Sequence, residues 1–474
     1  MVLHKSTPAL LATWLSLMAG CASHDALRPL ASLQNPDALA AGATVAAAAA
    51  PAAWPARDWW RRYGDVQLDQ LAAEALAGHP SMRIAAARVR QAQAVSGLAA
   101  SALAPQVNGG ARSNRQKFSD KSTVPPPLAG SWTWYNEATL NFSYELDFWG
   151  KNQAAVAAAL GRQRAAEVEA EAARLVLMVG VTQSYLRLAQ LHAQRDLATD
   201  ILQQRQQVLA LTRQRVAARL DSAAELKQAE IGVPQAQGEI VAANEAIQLV
   251  QSQLAALLGA GPDRGAAIAR PQLAKISPAA VPSGLPSELI ARRPDLVAQR
   301  WRVEALRRDI AVAEAQFYPS LNLNALVGLQ SLGFEHFLEG GSRIAGAGGA
   351  FSLPIFDGDR LRSNLKLRDA DYDLAVEGYN QSLVEALRDV ASQLISIRWL
   401  QQRSALQAQA TATAQDACNL SIQRYRSGLG NYLQVLAAEL QVQAQRRAQI
   451  ELDIRAYDLD MQLVRALGGG YVGV

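Results

Sequence analysis

Cysteine and histidine are scarce. Only Cys21 and Cys418 occur in 474 residues, and Cys21 ends a leader-like segment, so no disulfide framework can form within the mature chain. Cys418 lies in a helix-like stretch and reads as a small packing residue. The histidines, His4, His24, His79, His192 and His336, are scattered, and His336 with Glu339 lacks a second ligand motif, so no metal site is expected. Phosphate loops, nucleophile elbows and paired catalytic motifs are missing too, so neither catalysis nor a cofactor is expected. Past residue 20 no apolar run approaches the roughly 20 residues of a membrane helix, so any membrane crossing needs another architecture. Charge of one sign is not concentrated either. The formal net charge is +4, but Arg alternates with Glu and Asp and forms no patch, so no nucleic-acid partner is expected.

What is present begins with a leader. His4 and Lys5 precede an apolar run from Ala9 to Met18, followed by Ala19, Gly20 and Cys21, which reads as a signal peptide over residues 1–20. Its ending resembles a bacterial lipobox, with Met18 where Leu is usual and Leu17 one place earlier. The resemblance implies cleavage before Cys21 and acylation of its thiol and amino group, an anchor in which each buried methylene contributes about 0.8 kcal/mol. Ala22 stands where Asp would imply inner-membrane retention, so outer-membrane sorting is implied. Residues 21–60 form the anchored segment, whose Ala-rich stretch over 37–53 is either a flexible spacer or a short helix.

The rest is a duplication. Pro80 and Pro105 have counterparts in Pro294 and Pro319, both 214 positions on, and Arg88-Val89 matches Arg302-Val303. Phe148-Trp-Gly150 matches Phe356-Asp-Gly358, and Gln214-Arg215 through Glu230 matches Gln423-Arg424 through Glu439. The first repeat covers 61–258, with a strand pair about 106–148 and a turn about 219–222. The second covers 288–467, with a strand pair about 320–356 and a turn about 427–431. A Gly- and Pro-rich segment, 259–287, separates them, and 468–474 is a tail. The first copy carries an insertion near Pro125-Pro-Pro127, where an exposed loop tolerates length.

The second strand of the first pair alternates cleanly. Ala138, Leu140, Phe142, Tyr144, Leu146 and Phe148 are apolar, while Thr139, Asn141, Ser143, Glu145 and Asp147 are polar. Leu321, Leu323, Ala325, Val327 and Leu329 repeat the pattern, with Leu326 breaking the polar face. Such alternation suits a strand with lipid on one side and a lumen on the other, or a half-buried soluble sheet. In lipid, four strands alone would leave two edges unpaired, so a barrel must close between subunits, and three chains would supply roughly twelve strands.

From Gly150 to about Leu220 there is no proline, which predicts a helix of close to 70 residues, roughly 100 Å long. Val376, Leu383, Val390 and Ile397 recur every seven residues, and Val168, Leu175, Val179 and Leu186 match Val376, Leu383, Leu387 and Leu394, which predicts left-handed supercoiling. A reversal follows at Arg219 to Ser222, with Asp221 or Ser222 as cap, and again at Ser427 to Asn431 with Asn431 as cap. The first returning helix runs from Ala223 to Leu258, and another helix is expected from Ser287 to Tyr318.

Arg-Arg-Pro-Asp-Leu at 292–296, Ala-Gln-Phe-Tyr-Pro-Ser-Leu at 315–321 and Tyr-Arg-Ser-Gly-Leu-Gly-Asn-Tyr-Leu at 425–433 resemble signatures of the outer membrane efflux protein (TolC-like) family, in its lipoprotein branch serving resistance-nodulation-division pumps. The resemblance implies an α+β membrane protein: a homotrimer with a twelve-stranded outer-membrane β-barrel, four strands per chain, a long periplasmic α-helical barrel and an equatorial mixed region. It also implies efflux of drugs or other small molecules, with a periplasmic adaptor protein, an inner-membrane transporter and outer-membrane lipid as partners. The helical turns would form the periplasmic tip. Glu225, Arg424, Tyr425 and Leu433 are its expected gate, and Leu220, Asp221, Ser222, Gly428, Leu429 and Gly430 its expected adaptor contacts. Ala437 stands where the family's gate has Asp, so the charged part of that gate departs from the pattern. Two rival readings remain: a duct for protein secretion, and a structural coiled-coil envelope lipoprotein, which would not require alternating strands.

Overall fold

The structure, a computed structural model, describes residues 27–39, 53–121, 123–276 and 285–473. The signal peptide, Cys21 and most of the Ala-rich spacer lie outside the described residues. The described chain forms two compact units, one built from residues up to 33 with 89–166 and 299–378, the other from 34–88, 167–298 and 379–474.

The first unit holds a four-stranded antiparallel sheet of β1 (Gln106–Lys117), β2 (Trp132–Leu146), β3 (Ser320–Leu332) and β4 (Arg343–Ser352), in that order. Register carries the alternation across the sheet, because Val107 faces Phe142, Phe142 faces Ala325, and Ala325 faces Ala347. One face is thus apolar over the part nearer the helices, and the other carries Asn108, Asn141, Asn324 and their neighbours. Edges β1 and β4 have no partner strand among the described residues.

Phe148 was expected to extend β2 and Phe356 to close the second pair, but the strands end at Leu146 and Ser352. The Asp147 carboxylate instead accepts the N–H groups of Asn152 (3.1 Å) and Gln153 (2.8 Å), starting the helix that follows. Pro354 ends the ladder after β4, since proline cannot donate to it. At the amino-terminal side Leu27 packs near Ile310, Ala313 and Leu365, and Asp373 accepts the N–H groups of Leu30 (3.0 Å) and Ala31 (2.9 Å).

The helices are α1 (Val66–Gly78), α2 (Pro80–Ser101), α3 (Lys151–Ala217), α4 (Ala223–Leu257), α5 (Pro262–Ala266), α6 (Leu285–Arg292), α7 (Pro294–Ala315), α8 (Arg360–Arg426) and α9 (Tyr432–Ala466). Both α3 and α8 have 67 residues, about 100 Å each. The first ends at Ala217, three residues short of the expected Leu220. The helix expected unbroken from Ser287 to Tyr318 is two helices, parted at Arg293, because Pro294 lacks an N–H and pushes the preceding residue out of the helical region. Among the described residues no helix is long and apolar enough to cross a membrane.

The second unit's core gathers Trp59, Trp60, Tyr63, Leu68, Leu71, Met178, Tyr185, Leu188 and Leu254. Heptad residues Val179 and Leu186 join it, and Leu383, Val390 and Leu394 are likewise buried. Two buried carboxylates cross-link its periphery. Asp65 accepts from the Tyr185 hydroxyl at 2.6 Å, and Asp460 accepts from Tyr63 at 3.0 Å while pairing with Arg62. Burial pushes the Asp460 carboxyl above its ordinary value despite Arg62. Gly259 (φ +74°) lets α4 end against α1, since a Cβ there would come 2.5 Å from the Gly78 carbonyl.

Candidate functional site: the paired helical turns

Both long helices end in the same hydrogen-bonded turn. After α3 the Leu220 N–H donates to Arg215 O and the Arg219 N–H to Val216 O, each at 2.9 Å. After α8 Leu429 donates to Arg424 O at 2.9 Å and Gly428 to Tyr425 O at 3.1 Å. This is a Schellman closure, with Arg219 (φ 61°) and Gly428 (φ 75°) in the left-handed position. The returning helices are capped next. Ser222 and Glu225 make a reciprocal capping box, the Glu225 carboxylate accepting the Ser222 N–H at 2.7 Å, and Asn431 accepts from the Gln434 N–H at 3.0 Å.

Between the turns lies a polar knot. Arg215 grips Asp221 with two parallel hydrogen bonds, Nε to Oδ2 at 2.9 Å and Nη2 to Oδ1 at 3.0 Å. Its Nη1 donates to the Tyr425 carbonyl at 2.8 Å, and its guanidinium lies 4.5 Å over the Tyr425 ring. The Tyr425 hydroxyl donates to Asp221 Oδ2 at 2.5 Å and lies 3.0 Å from the Thr212 hydroxyl. The Arg215 and Asp221 side chains are only 11% and 4% exposed, so these bonds are shielded from water. The Arg215 bond, aided by Tyr425, holds the Asp221 carboxyl below its usual value, and the same bond raises Arg215. Burial, then Asp221, pushes the Tyr425 phenol up to about 12. Beneath the knot Val208, Leu209, Ala229, Tyr425, Tyr432 and Val435 form an apolar cluster.

A second buried acid lies along the same helices. Glu439, 3% exposed, accepts from Gln204 Nε2 at 3.2 Å, and Gln204 also lies 3.5 Å from Cys418 Sγ. Burial raises the Glu439 carboxyl, with Arg205 opposing. Cys418 is fully buried, and burial raises its thiol as well.

The expected gate residues divide. Tyr425 is at the centre of the knot, whereas Glu225 serves its own helix start and Arg424, among the described residues, reaches the Leu429 carbonyl at 3.4 Å. Leu220, Leu429 and Leu433 are 65%, 72% and 53% exposed, and Ala437 is exposed too. Arg215 and Thr212, not singled out from the sequence, complete the knot. The one available signal was the Gln214-Arg215 landmark shared by the two copies.

A family model described as "Outer membrane efflux protein" matches residues 71–260 and again 285–469. The chain belongs to this family. It is an outer-membrane efflux channel protein of duplicated fold. Similar proteins include the fusaric acid resistance protein FusA of Burkholderia cepacia, 44% identical over 370 residues, covering 77% of this chain and 70% of FusA. The multidrug resistance outer membrane protein MdtP of Escherichia coli K12 is 32% identical over 441 residues, covering 89% of this chain and 88% of MdtP. The crystal structure of the outer membrane protein VceC of Vibrio cholerae superposes with a TM-score of 0.83 at 37% identity, covering 88% of this chain and all of VceC. The two turns are where the ends of α3 and α8 of one chain are tied together.

Proposed function

We propose that three copies of this chain form the exit duct of a tripartite efflux pump. The observation that carries the reading is the sheet: among the described residues, four strands with one largely apolar face, one polar face and two unpaired edges. In lipid each unpaired N–H or C=O costs several kcal/mol, so the edges must be sealed by other copies. Three copies give twelve strands, a wall with lipid outside and a wet lumen inside. The duct drives nothing itself. An inner-membrane transporter of the resistance-nodulation-division type, coupled by a periplasmic adaptor, supplies the energy, and acylated Cys21 adds a lipid anchor. The likeness to FusA and MdtP supports small organic molecules as cargo rather than proteins.

The knot of Arg215, Asp221 and Tyr425 keeps both turns of each chain together and so holds the periplasmic tip narrow. Glu225, Arg424 and Leu433 face outward from it toward neighbouring copies. Leu220, Ser222, Leu429 and the backbone at Gly428 and Gly430 offer the adaptor its contacts, while the Asp221 carboxylate is already engaged. Planar-bilayer recordings test the reading. Wild-type protein should insert as a heat-modifiable oligomer with low conductance, and Asp221→Ala should raise the conductance several-fold. Tyr425→Phe, which removes one bond, should raise it less, and Glu225→Ala less again. A lone monomer that passes no current would defeat the duct, and conductance unchanged in Asp221→Ala would defeat the gate.

A further inference from the structure

The lipid-facing side of the sheet changes character along its length. The strands join the helices at one end, through Gln106, Leu146, Ser320 and Ser352, and the hairpin loops lie at the other. Near the helix end the apolar face presents Leu146, Leu321 and Phe351 side by side, with no charge. Toward the loops the same face turns cationic. Register places Arg115 opposite Trp134, Lys117 opposite Trp132, and Arg343 opposite Leu329, all on the face of Phe142 and Leu140.

These three cations are exposed, and none has a hydrogen-bond or ion-pair partner among the described residues. The only strand carboxylates, Glu137 and Glu145, lie on the opposite face, where Glu137 stands across from Arg112. Of the nearby loop carboxylates, Glu339 is engaged by His336 at 3.0 Å. Trp132 and Trp134 are 63% and 41% exposed, and Trp134 packs on Phe334 with ring centres 5.4 Å apart. A cation on the lipid side of a barrel is strongly unfavourable at mid-membrane and nearly neutral near the interface. Three cations at one end and none at the other therefore mark the level of an anionic headgroup layer.

Building on the barrel proposed above, we infer that this belt is a binding site for the phosphate groups of the phosphorylated glycolipid of the outer leaflet. Arg115 and Arg343 present guanidinium forks to phosphate monoester oxygens, and Lys117 adds a point charge. They neutralise charge that packed glycolipid otherwise shares with divalent cations. The neighbouring indoles sit at the depth where an apolar ring meets acyl chains and its N–H meets sugar or ester oxygens. Since β1 and β4 are the edges that closure joins, Arg343 of one copy comes onto the same lipid-facing rim as Arg115 and Lys117 of the next.

Native mass spectrometry of the detergent-extracted oligomer tests this, with bis-phosphorylated lipid A, the same lipid stripped of phosphate, and phosphatidylglycerol as probes. The wild type should retain bis-phosphorylated lipid A about tenfold better than the triple variant Arg115→Gln, Lys117→Gln, Arg343→Gln, and better than either other lipid. Arg112→Gln, on the lumen face, should retain it like the wild type. Equal retention by the triple variant, equal binding of the phosphate-free lipid, or equal binding of phosphatidylglycerol each overturns the site. Heat-modifiability and bilayer insertion of every variant report on the barrel separately. A chain that never inserts overturns barrel and site together, whereas inserted oligomers without lipid preference overturn the site alone.

Discussion

In the turn after α3 the left-handed position is an arginine, Arg219, and in the turn after α8 it is Gly428, yet the backbone bonds are the same two in each. The side chains around them differ. Asp221 in the first turn corresponds to Gly430 in the second, and Val216 in the first to Tyr425 in the second. The acid thus sits in one copy and the phenol in the other, and they meet at 2.5 Å. Duplication kept the turn geometry while its polar groups diverged into complementary halves, so neither turn holds the knot alone.

Asp221→Ala should break this arrangement most severely. It strands the Arg215 guanidinium, 11% exposed, and removes the acceptor of the Tyr425 hydroxyl. Removing one partner of a buried ion pair costs about 3 kcal/mol, and hydrogen exchange of amides in both turns should accelerate accordingly. Acceleration confined to the first turn would show that the two copies are not coupled. The native knot should also be indifferent to ordinary pH. The Asp221 value is depressed, so its contribution persists above the unfolded carboxyl value, about 3.9, and is lost as pH falls through the folded one. The Tyr425 value is raised, so its contribution holds below about 10 and is lost as pH rises through about 12.

Gly428→Ala comes next. A Cβ there meets nothing nearer than Arg215 Nη1 at 4.0 Å, so only backbone strain opposes it, about 1–2 kcal/mol. Faster exchange at Leu429 and Gly430 would report it, and wild-type rates there would mean that the turn tolerates a side chain as Arg219 does.

Much of this architecture is legible in the sequence because it is periodic. Alternation from Ala138 to Leu146 has a period of two and the long helices have a period of seven, and both read directly onto the structure. The misreadings fall at boundaries. Phe148 fits the alternation by parity alone, while Asp147 had already begun capping α3, a role that periodicity does not encode. Pro294 lies inside the expected helix, and its missing N–H and its restriction of Arg293 are what part that helix in two. The knot was least legible. Arg215 and Tyr425 stand 210 positions apart, and their meeting depends on packing between helices that no local pattern states.

The subtlest contrast between the copies is a pair of glutamates. Glu230 and Glu439 occupy matching positions, yet the Lys227 bond at 2.8 Å, with Arg213 nearby, lowers the half-buried Glu230, whereas burial raises the buried Glu439. A raised carboxyl is most stable protonated, so the helices around Glu439 should tighten as pH falls from neutral through its folded value. Glu439→Gln mimics that neutral form and keeps an oxygen for Gln204 Nε2, which now donates to Glu439 at 3.2 Å. The expected gain at neutral pH is about 1 kcal/mol in amide exchange near Glu439, fading as pH falls through the folded value of the wild-type carboxyl. Glu230→Gln should shift nothing buried. A destabilised Glu439→Gln at neutral pH would mean that Arg205 supplies the acid with a stronger counter-charge than its surroundings suggest, and the two copies would then be alike in holding their glutamates charged.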